Sequence, residues 1–371
     1  MKETSVDAGD IWVVKVGSAL LTYDGQGLDE KLVKDLVNDI AALRSQGKKI
    51  VLVSSGAVAQ GMHLLGFQTR PRVIHSLQAA AAVGQMELIQ SYQSNFTAHG
   101  IRTAQILLTH DDLRSRNRYL NARITLTTLM DLGVVPIVNE NDTVATDEIR
   151  FGDNDTLAAL VTNLIEATAL VILTDQPGLF DSNPRANPKA KMVNEALASD
   201  TGLDEMAGDG GMLGRGGMTT KVQASRIAAR SGAHTLICAG RQSQMLQSIA
   251  TGVFVGTLLK ADKPVLAARK QWLATLSVEG TLILDDGAVS VLKKDGRSLL
   301  AVGIISATGN FTRGELVSCA NRQGKEIARG LTNYSSDELT RISGAASKDI
   351  DSILGYFVDE EVIHRNNLIV V

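Results

Sequence analysis

Cysteine is almost absent from this chain: 371 residues hold only Cys238 and Cys319. The two lie far apart and outside any metal-ligand spacing, so each is expected as a small buried apolar group rather than half of a disulfide. Neither sign of charge dominates. Thirty-seven lysines and arginines face 40 acids, a formal charge of -3, which gives no bulk electrostatic basis for nucleic-acid binding. No window reaches the ~18 unbroken apolar residues of a membrane span. The opening "MKETSVDAGD" lacks the apolar core of a signal peptide, so a cytoplasmic protein is expected. The six histidines show neither a serine–histidine–acid arrangement nor histidine–cysteine metal spacing. The P-loop pattern and the Rossmann glycine fingerprint are both missing. No low-complexity segment or repeat of fixed period occurs.

What is present is an ordinary globular composition, 44% hydrophobic and 21% charged, in a chain long enough that two domains are the default. Five apolar, branched-rich runs stand out: 11–16, 49–53, 134–138, 169–174 and 234–239. Helical patterns lie between several of them, such as Leu32, Leu36, Val37 and Ile40, or Leu157, Leu160, Val161 and Leu164. Continuous apolar strands alternating with amphipathic helices predict an α/β fold, an open and mainly parallel sheet covered by helices on both faces. From about Ser277 short strand-like runs are punctuated by "DDG", "KDG", "TGN" and "RQG", the pattern of a small β-rich domain with tight turns. Residues 260–276 read as the connection, giving expected domains of 1–275 and 276–371.

Ligands of open parallel sheets bind beyond the carboxyl ends of the strands. There the chain carries "GSAL", "SSGAVAQG", "NENDTV" and "TDQPGLF". Lys15, inside "WVVKVGSAL", is costly to bury without a negative partner. It reads either as a phosphate contact beside Gly17 and Ser18 or as an edge-strand lysine that reaches water. "GDGGMLGRGGMTTK" (208–221) is a glycine-rich loop opening a helix, with Lys221 in its first turn. A cation there opposes the helix dipole, and becomes intelligible if an anion sits between them. Ser54, Ser55 and Gly56 can offer hydroxyl and N–H groups to a carboxylate, although serine and glycine also fill turns for conformational reasons. In "NENDTVATDEIRFGDND" (139–155), Glu140, Asp142, Asp147, Glu148, Asp153 and Asp155 face one base, Arg150. Asp153, Asn154 or Asp155 can cap the helix that follows. "NEND" calls for more: Asp142, with Asn139 and Asn141, suits a ligand ammonium, a metal such as Mg²⁺, or an active-site lysine.

Taken together, "KVGS", "SSGA", "NENDTVAT…GDND", "LTDQPGLFDSNPR" and "GRGGMTTK" resemble the amino-acid kinase family over nearly the whole chain. "VGIISATGNFTRGELV" and "GLTNYSSDEL" resemble a C-terminal PUA domain. The resemblance implies the amino-acid kinase fold followed by a PUA domain. It implies ATP-dependent phosphorylation of the γ-carboxylate of L-glutamate, the first step of proline biosynthesis, with Mg²⁺. Lys15 and Lys221 are then the catalytic contacts to the transferring phosphoryl group. Thr174, Asp175 and the segment Arg215, Gly216, Gly217, Met218, Thr219, Thr220 and Lys221 hold ATP, while Ser55, Asp142 and Asn154 match glutamate-binding positions. Arg215 departs from the threonine frequent in the family at that position. The resemblance also implies proline feedback inhibition, self-association and delivery of product to glutamyl-phosphate reductase.

The chemistry agrees with the residue inventory. A γ-carboxylate is ionised at neutral pH and needs no general base, so catalysis rests on positioning and charge neutralisation. Alternatives are a kinase of N-acetylglutamate, aspartate or a nucleoside monophosphate. An acetylated amine carries no positive charge, which an acid-rich substrate loop disfavours. RNA binding through the PUA domain is disfavoured by charge, since residues 277–371 hold ten lysines and arginines against thirteen acids. A basic cluster at Lys293, Lys294 and Arg297 is the exception.

Overall fold

The computed structural model describes residues 4–5, 9–23, 27–144, 154–184, 186–208, 217–263 and 276–370. Asp147, Glu148, Arg150, Asp153, Arg215 and Gly216 lie outside the described residues, as does most of the expected connection. The chain divides into two compact units, residues 1–115 with 121–268, and 116–120 with 269–371.

The first unit is built on β1 (Ile11–Val16), β2 (Lys49–Ser54), β3 (Thr103–Leu108), β4 (Val135–Glu140), β5 (Ala169–Thr174), β6 (Glu195–Leu197), β7 (His234–Ala239) and β8 (Gly256–Lys260). They form one eight-stranded sheet in the order β3-β4-β2-β1-β5-β7-β8-β6. The six strands from β3 to β7 run parallel, and β8 pairs antiparallel to β7. The five apolar runs of the sequence are all strands here. β3 was not among them: "TAQILL" is interrupted by Gln105 and is less buried than its neighbours. The acidic motif also starts earlier than expected, because Asn139 and Glu140 end β4 itself.

Side chains alternate across the sheet, and this assigns Lys15 its environment. Trp12, Val14 and Val16 of β1 pack into a core with Leu36, Val37 and Ile40 of α2 (Glu30–Ser45) and Leu88, Tyr92 and Phe96 of α4 (Ile74–Thr97). Val13 and Lys15 therefore point to the other face, where α5 (Asn154–Leu164) and α6 (Met218–Ala229) pack together. Lys15 pairs in register with Val53 of β2 and Ile172 of β5, so its strand is central and the edge-strand reading fails.

Helix α2 starts where its sequence dictates. Asp29 accepts the Leu32 N–H at 3.0 Å, and the expected Leu32, Leu36, Val37 and Ile40 face is buried. In α5, Leu157, Val161 and Leu164 are buried and Leu160 is half-buried. Between β2 and α3 (Ala57–Leu64) the backbone turns at Gly56, whose φ of 101° is left-handed. α3 then crosses α4 with almost no separation. A methyl group at Gly61 would stand 1.7 Å from the Ala80 carbonyl oxygen, and one at Gly84 would stand 2.0 Å from that of Ala57.

The second unit carries a five-stranded sheet, in the order β10-β9-β11-β12-β13. Its strands are β9 (Val278–Leu284), β10 (Ile304–Gly309), β11 (Leu316–Ala320), β12 (Glu326–Leu331) and β13 (Leu368–Val370). Two expected turns prove to be helix ends. Asp285 of "DDG" accepts the Ala288 N–H at 2.7 Å and caps a helix over Asp286–Asp295, and Gly296 of "KDG" terminates it in the left-handed region. "RQG" is the hairpin turn between β11 and β12. Both cysteines are buried in their cores, and burial pushes each thiol up to about 12.

Glycine costs a helix interior about 1 kcal/mol relative to alanine, so Gly84→Ala would stabilise an isolated helix. Here the added carbon meets backbone that no rotamer change can move, and overpacking of that kind costs typically 1–3 kcal/mol. Gly84→Ala is therefore expected to lower the thermal unfolding midpoint despite its better propensity. An unchanged or higher midpoint in a calorimetric scan would show that the two helices can separate without penalty.

Candidate active site

A cavity of about 160 Å³ opens beyond the carboxyl ends of β1, β2, β4 and β5. Of the residues singled out in the sequence, Lys15, Ser55, Asp142, Asn154, Thr174, Asp175 and Lys221 line it. Gly217, Met218, Thr219 and Thr220 form the cap and first turn of α6, but they do not line the cavity. Thr219 donates instead to the Gly208 carbonyl at 3.2 Å.

The wall toward α5 and α6 is a buried charge cluster. Lys15 Nζ lies 2.5 Å from Asp155 Oδ1, and Lys221 Nζ lies 3.0 Å from Asp155 Oδ2. Thr220 Oγ1 donates to Oδ2 at 2.8 Å. Asp155 is wholly buried and the two lysine side chains are only 6% and 5% exposed. Burial is the largest single influence on the Asp155 carboxyl and opposes its ionisation. The charges of Lys15 and Lys221, with hydrogen bonds from Lys15 and Thr220, outweigh it and hold the carboxyl down at about 2. Two ammonium groups sharing one carboxylate leave these three groups with a net positive charge at the cavity wall. That suits an incoming anion.

The lysines reach Asp155 from different elements. Lys15 comes from β1 just before Gly17, where a methyl group would lie 3.7 Å from Nζ, so the backbone passes directly over the ammonium. Lys221 comes from the first turn of α6, which opens at the extended cap Gly217. Asp155 sits in the first turn of α5, where the helix dipole favours a carboxylate. The unfavourable lysine in α6 is thus compensated through the neighbouring helix.

The wall toward β2 and β4 is an amide relay. Asn154 Nδ2 donates to the Ser54 carbonyl and to Asn139 Oδ1, each at 2.8 Å. Asn139 Nδ2 donates to Gln85 Oε1 at 2.7 Å, and Asn139 Oδ1 also accepts the Glu140 N–H at 2.9 Å. Ser54 Oγ lies 3.1 Å from the Tyr92 hydroxyl. Ser55 follows, its N–H donating to the Val16 carbonyl at 3.2 Å. Asp142 lies in the turn after β4 and is half-buried. At the end of β5, Thr174 donates to Asp175 Oδ1 at 3.0 Å.

Three residues of the cavity region escaped the sequence reading. The sequence offers Asp155 only as a helix cap, although the cost of burying Lys15 requires an anion; spacing does not choose among six acids. Glu140 is 6% exposed and lines the cavity, as does Arg70, from the segment joining α3 to α4. Nothing in the sequence pattern marked Arg70.

Replacing one member of a buried ion pair costs about 3–5 kcal/mol, because the partner charge is left uncompensated. Asp155→Asn should destabilise the protein by roughly that amount. The folded-state pKa lies below the ordinary 3.8, so the carboxylate's contribution is complete above that value and fades as pH falls toward about 2. The gap in urea midpoint between wild type and Asp155→Asn should accordingly shrink between pH 5 and pH 3. A gap that widens on acidification would contradict the cluster.

Comparison with known proteins agrees with this geometry. Residues 10–240 match the amino acid kinase family and residues 280–354 match the PUA domain. A protein of Saccharophagus degradans named glutamate 5-kinase is 60% identical over 97% of this chain and 97% of its own length. Proteins of the same name from Nitrosococcus oceani and Pseudomonas entomophila are 60% and 57% identical, covering 97% and 99% of this chain and 96% and 100% of theirs. This chain belongs to the amino acid kinase family, with a PUA domain after its kinase region.

Proposed function

We propose that the protein transfers the γ-phosphoryl group of ATP to the γ-carboxylate of L-glutamate, giving L-glutamyl 5-phosphate and ADP. The observation that carries this reading is the pair of lysines held on one buried carboxylate at the mouth of the strands. The name shared by relatives 57–60% identical over nearly the whole chain supports the same substrate.

A carboxylate approaching a triphosphate is repelled by it. Lys15 and Lys221 stand where the two anions meet, and Asp155 fixes both ammonium groups before either ligand arrives, so no reorganisation is needed during the reaction. A γ-carboxylate oxygen bonds to the γ-phosphorus as the bond to the β–γ bridging oxygen breaks, and the electron pair leaves with ADP. No proton needs to move.

In this reading Asp142 takes the substrate ammonium, while Ser55 and Asn154 line the glutamate pocket beside it. Thr174, Asp175 and Gly217 to Thr220 take the nucleotide, together with Arg215 and Gly216. Mg²⁺ would neutralise phosphate charge. Asp175, exposed at the end of β5, is an oxygen donor of the kind it accepts. Among the described residues no group of three histidine, cysteine, aspartate or glutamate side chains that could hold a metal occurs. Among the described residues no helix is long and apolar enough to cross a membrane. A cytoplasmic, self-associating enzyme that is inhibited by proline, and hands its labile mixed anhydride to glutamyl-phosphate reductase, completes the proposal.

Acyl phosphate formed from ATP and Mg²⁺ can be trapped with hydroxylamine. Glutamate should give hydroxamate, and N-acetylglutamate and aspartate should not. Signal from N-acetylglutamate alone would overturn the assignment. Asp142→Ala should raise KM for glutamate about ten- to a hundredfold with kcat less affected, whereas Lys221→Ala should lower kcat by at least about a hundredfold. An unaltered glutamate KM in Asp142→Ala would remove that residue from substrate binding.

A further inference from the structure

The proposed reaction places one substrate carboxylate at the lysines and the ammonium at Asp142. Glutamate carries a second carboxylate on its α-carbon, and an enclosed anion needs a donor of its own. Among the described residues three cationic side chains line the cavity: Lys15, Lys221 and Arg70. The lysines are held at one wall by Asp155.

Arg70 enters from elsewhere. It lies on the segment between α3 and α4, the two helices that follow β2, and is half-buried. In the sheet order β2 and β4 lie on one side of β1, while β5 and β7 lie on the other. Arg70 thus comes from the connection that follows β2, and Ser55, Asn139 and Asp142 follow or end strands on that side of β1. The next residue is Pro71, which biases Arg70 toward extended backbone. Arg72, two residues on, does not line the cavity.

Resting on the kinase reading above, we infer that Arg70 binds the α-carboxylate of the amino-acid substrate and so determines specificity for a free α-amino acid. A guanidinium presents paired N–H donors that match a carboxylate, which a lysine does not. Asp142 and Arg70 would then read the two opposite charges on the α-carbon, leaving the γ-carboxylate as the end that reaches the phosphoryl group.

The test pairs a protein change with a matching substrate change. L-Glutamate and its α-amide, which keeps the ammonium and the γ-carboxylate, are compared with wild type, Arg70→Gln and Arg70→Lys in the hydroxamate assay. If the α-amide turns over too slowly, its Ki against glutamate replaces KM. Arg70→Gln should raise KM for glutamate about ten- to a hundredfold, with kcat and KM for ATP changed less than about threefold. For the α-amide, Arg70→Gln and wild type should agree within about threefold, and Arg70→Lys should recover part of the glutamate loss. Equal losses for both compounds would make Arg70 merely a counter-charge to the acidic wall and overturn the inference. A rise confined to KM for ATP, or no change at all, would overturn it too. Absence of hydroxamate from glutamate with wild type would instead defeat the kinase reading itself.

Discussion

Asp155 holds two lysines that would otherwise repel each other inside the protein. Neither lysine is tenable there alone, since burying an unpaired ammonium costs several kcal/mol. The carboxylate is tenable because two cations and a hydroxyl compensate it. Each member of the cluster is therefore conditional on the others, and all three come from different elements: β1, α5 and α6. Docking the two helices on the sheet and assembling the cationic wall are one event. The surplus positive charge is what the fold leaves for a ligand to neutralise.

The opposite wall is polar without being charged. Ser54, Asn154, Asn139 and Gln85 pass hydrogen bonds from the end of β2 across α5 and β4 to α4. Such a relay fixes orientation more than energy, because every buried amide must find a partner in one arrangement. Its last member, Gln85, follows Gly84, where the backbones of α3 and α4 meet with no side chain between them. The cationic cluster and the amide relay thus meet at a cavity that acids rim at Glu140, Asp142 and Asp175. Anion beside one wall and ammonium beside the acids is the charge pattern of an amino acid meeting a nucleotide.

Much of this was legible in the residues. The strands announced themselves because doubly covered parallel strands are apolar throughout, and the α2 stripe because a helix with one buried face repeats every 3.6 residues. β3 did not, since Gln105 breaks its run and it lies at the sheet edge. Two of the tight turns expected in the second unit are helix ends, because aspartate and glycine serve both. Lys15 and Lys221 drew notice because each was out of place by a local rule. Arg70 broke no local rule and drew none.

By itself the sequence determined the strand and helix periodicities, the strand-end loops that carry the chemistry, and the need of Lys15 for an anion. Those follow from local sterics and from the cost of burying charge. Tertiary structure decided which of six acids answers that need, that the lysine's strand is central, and that Arg70 reaches the cavity. Those depend on strand order and helix placement, which bring together residues 66 and 140 positions apart and which no local pattern encodes.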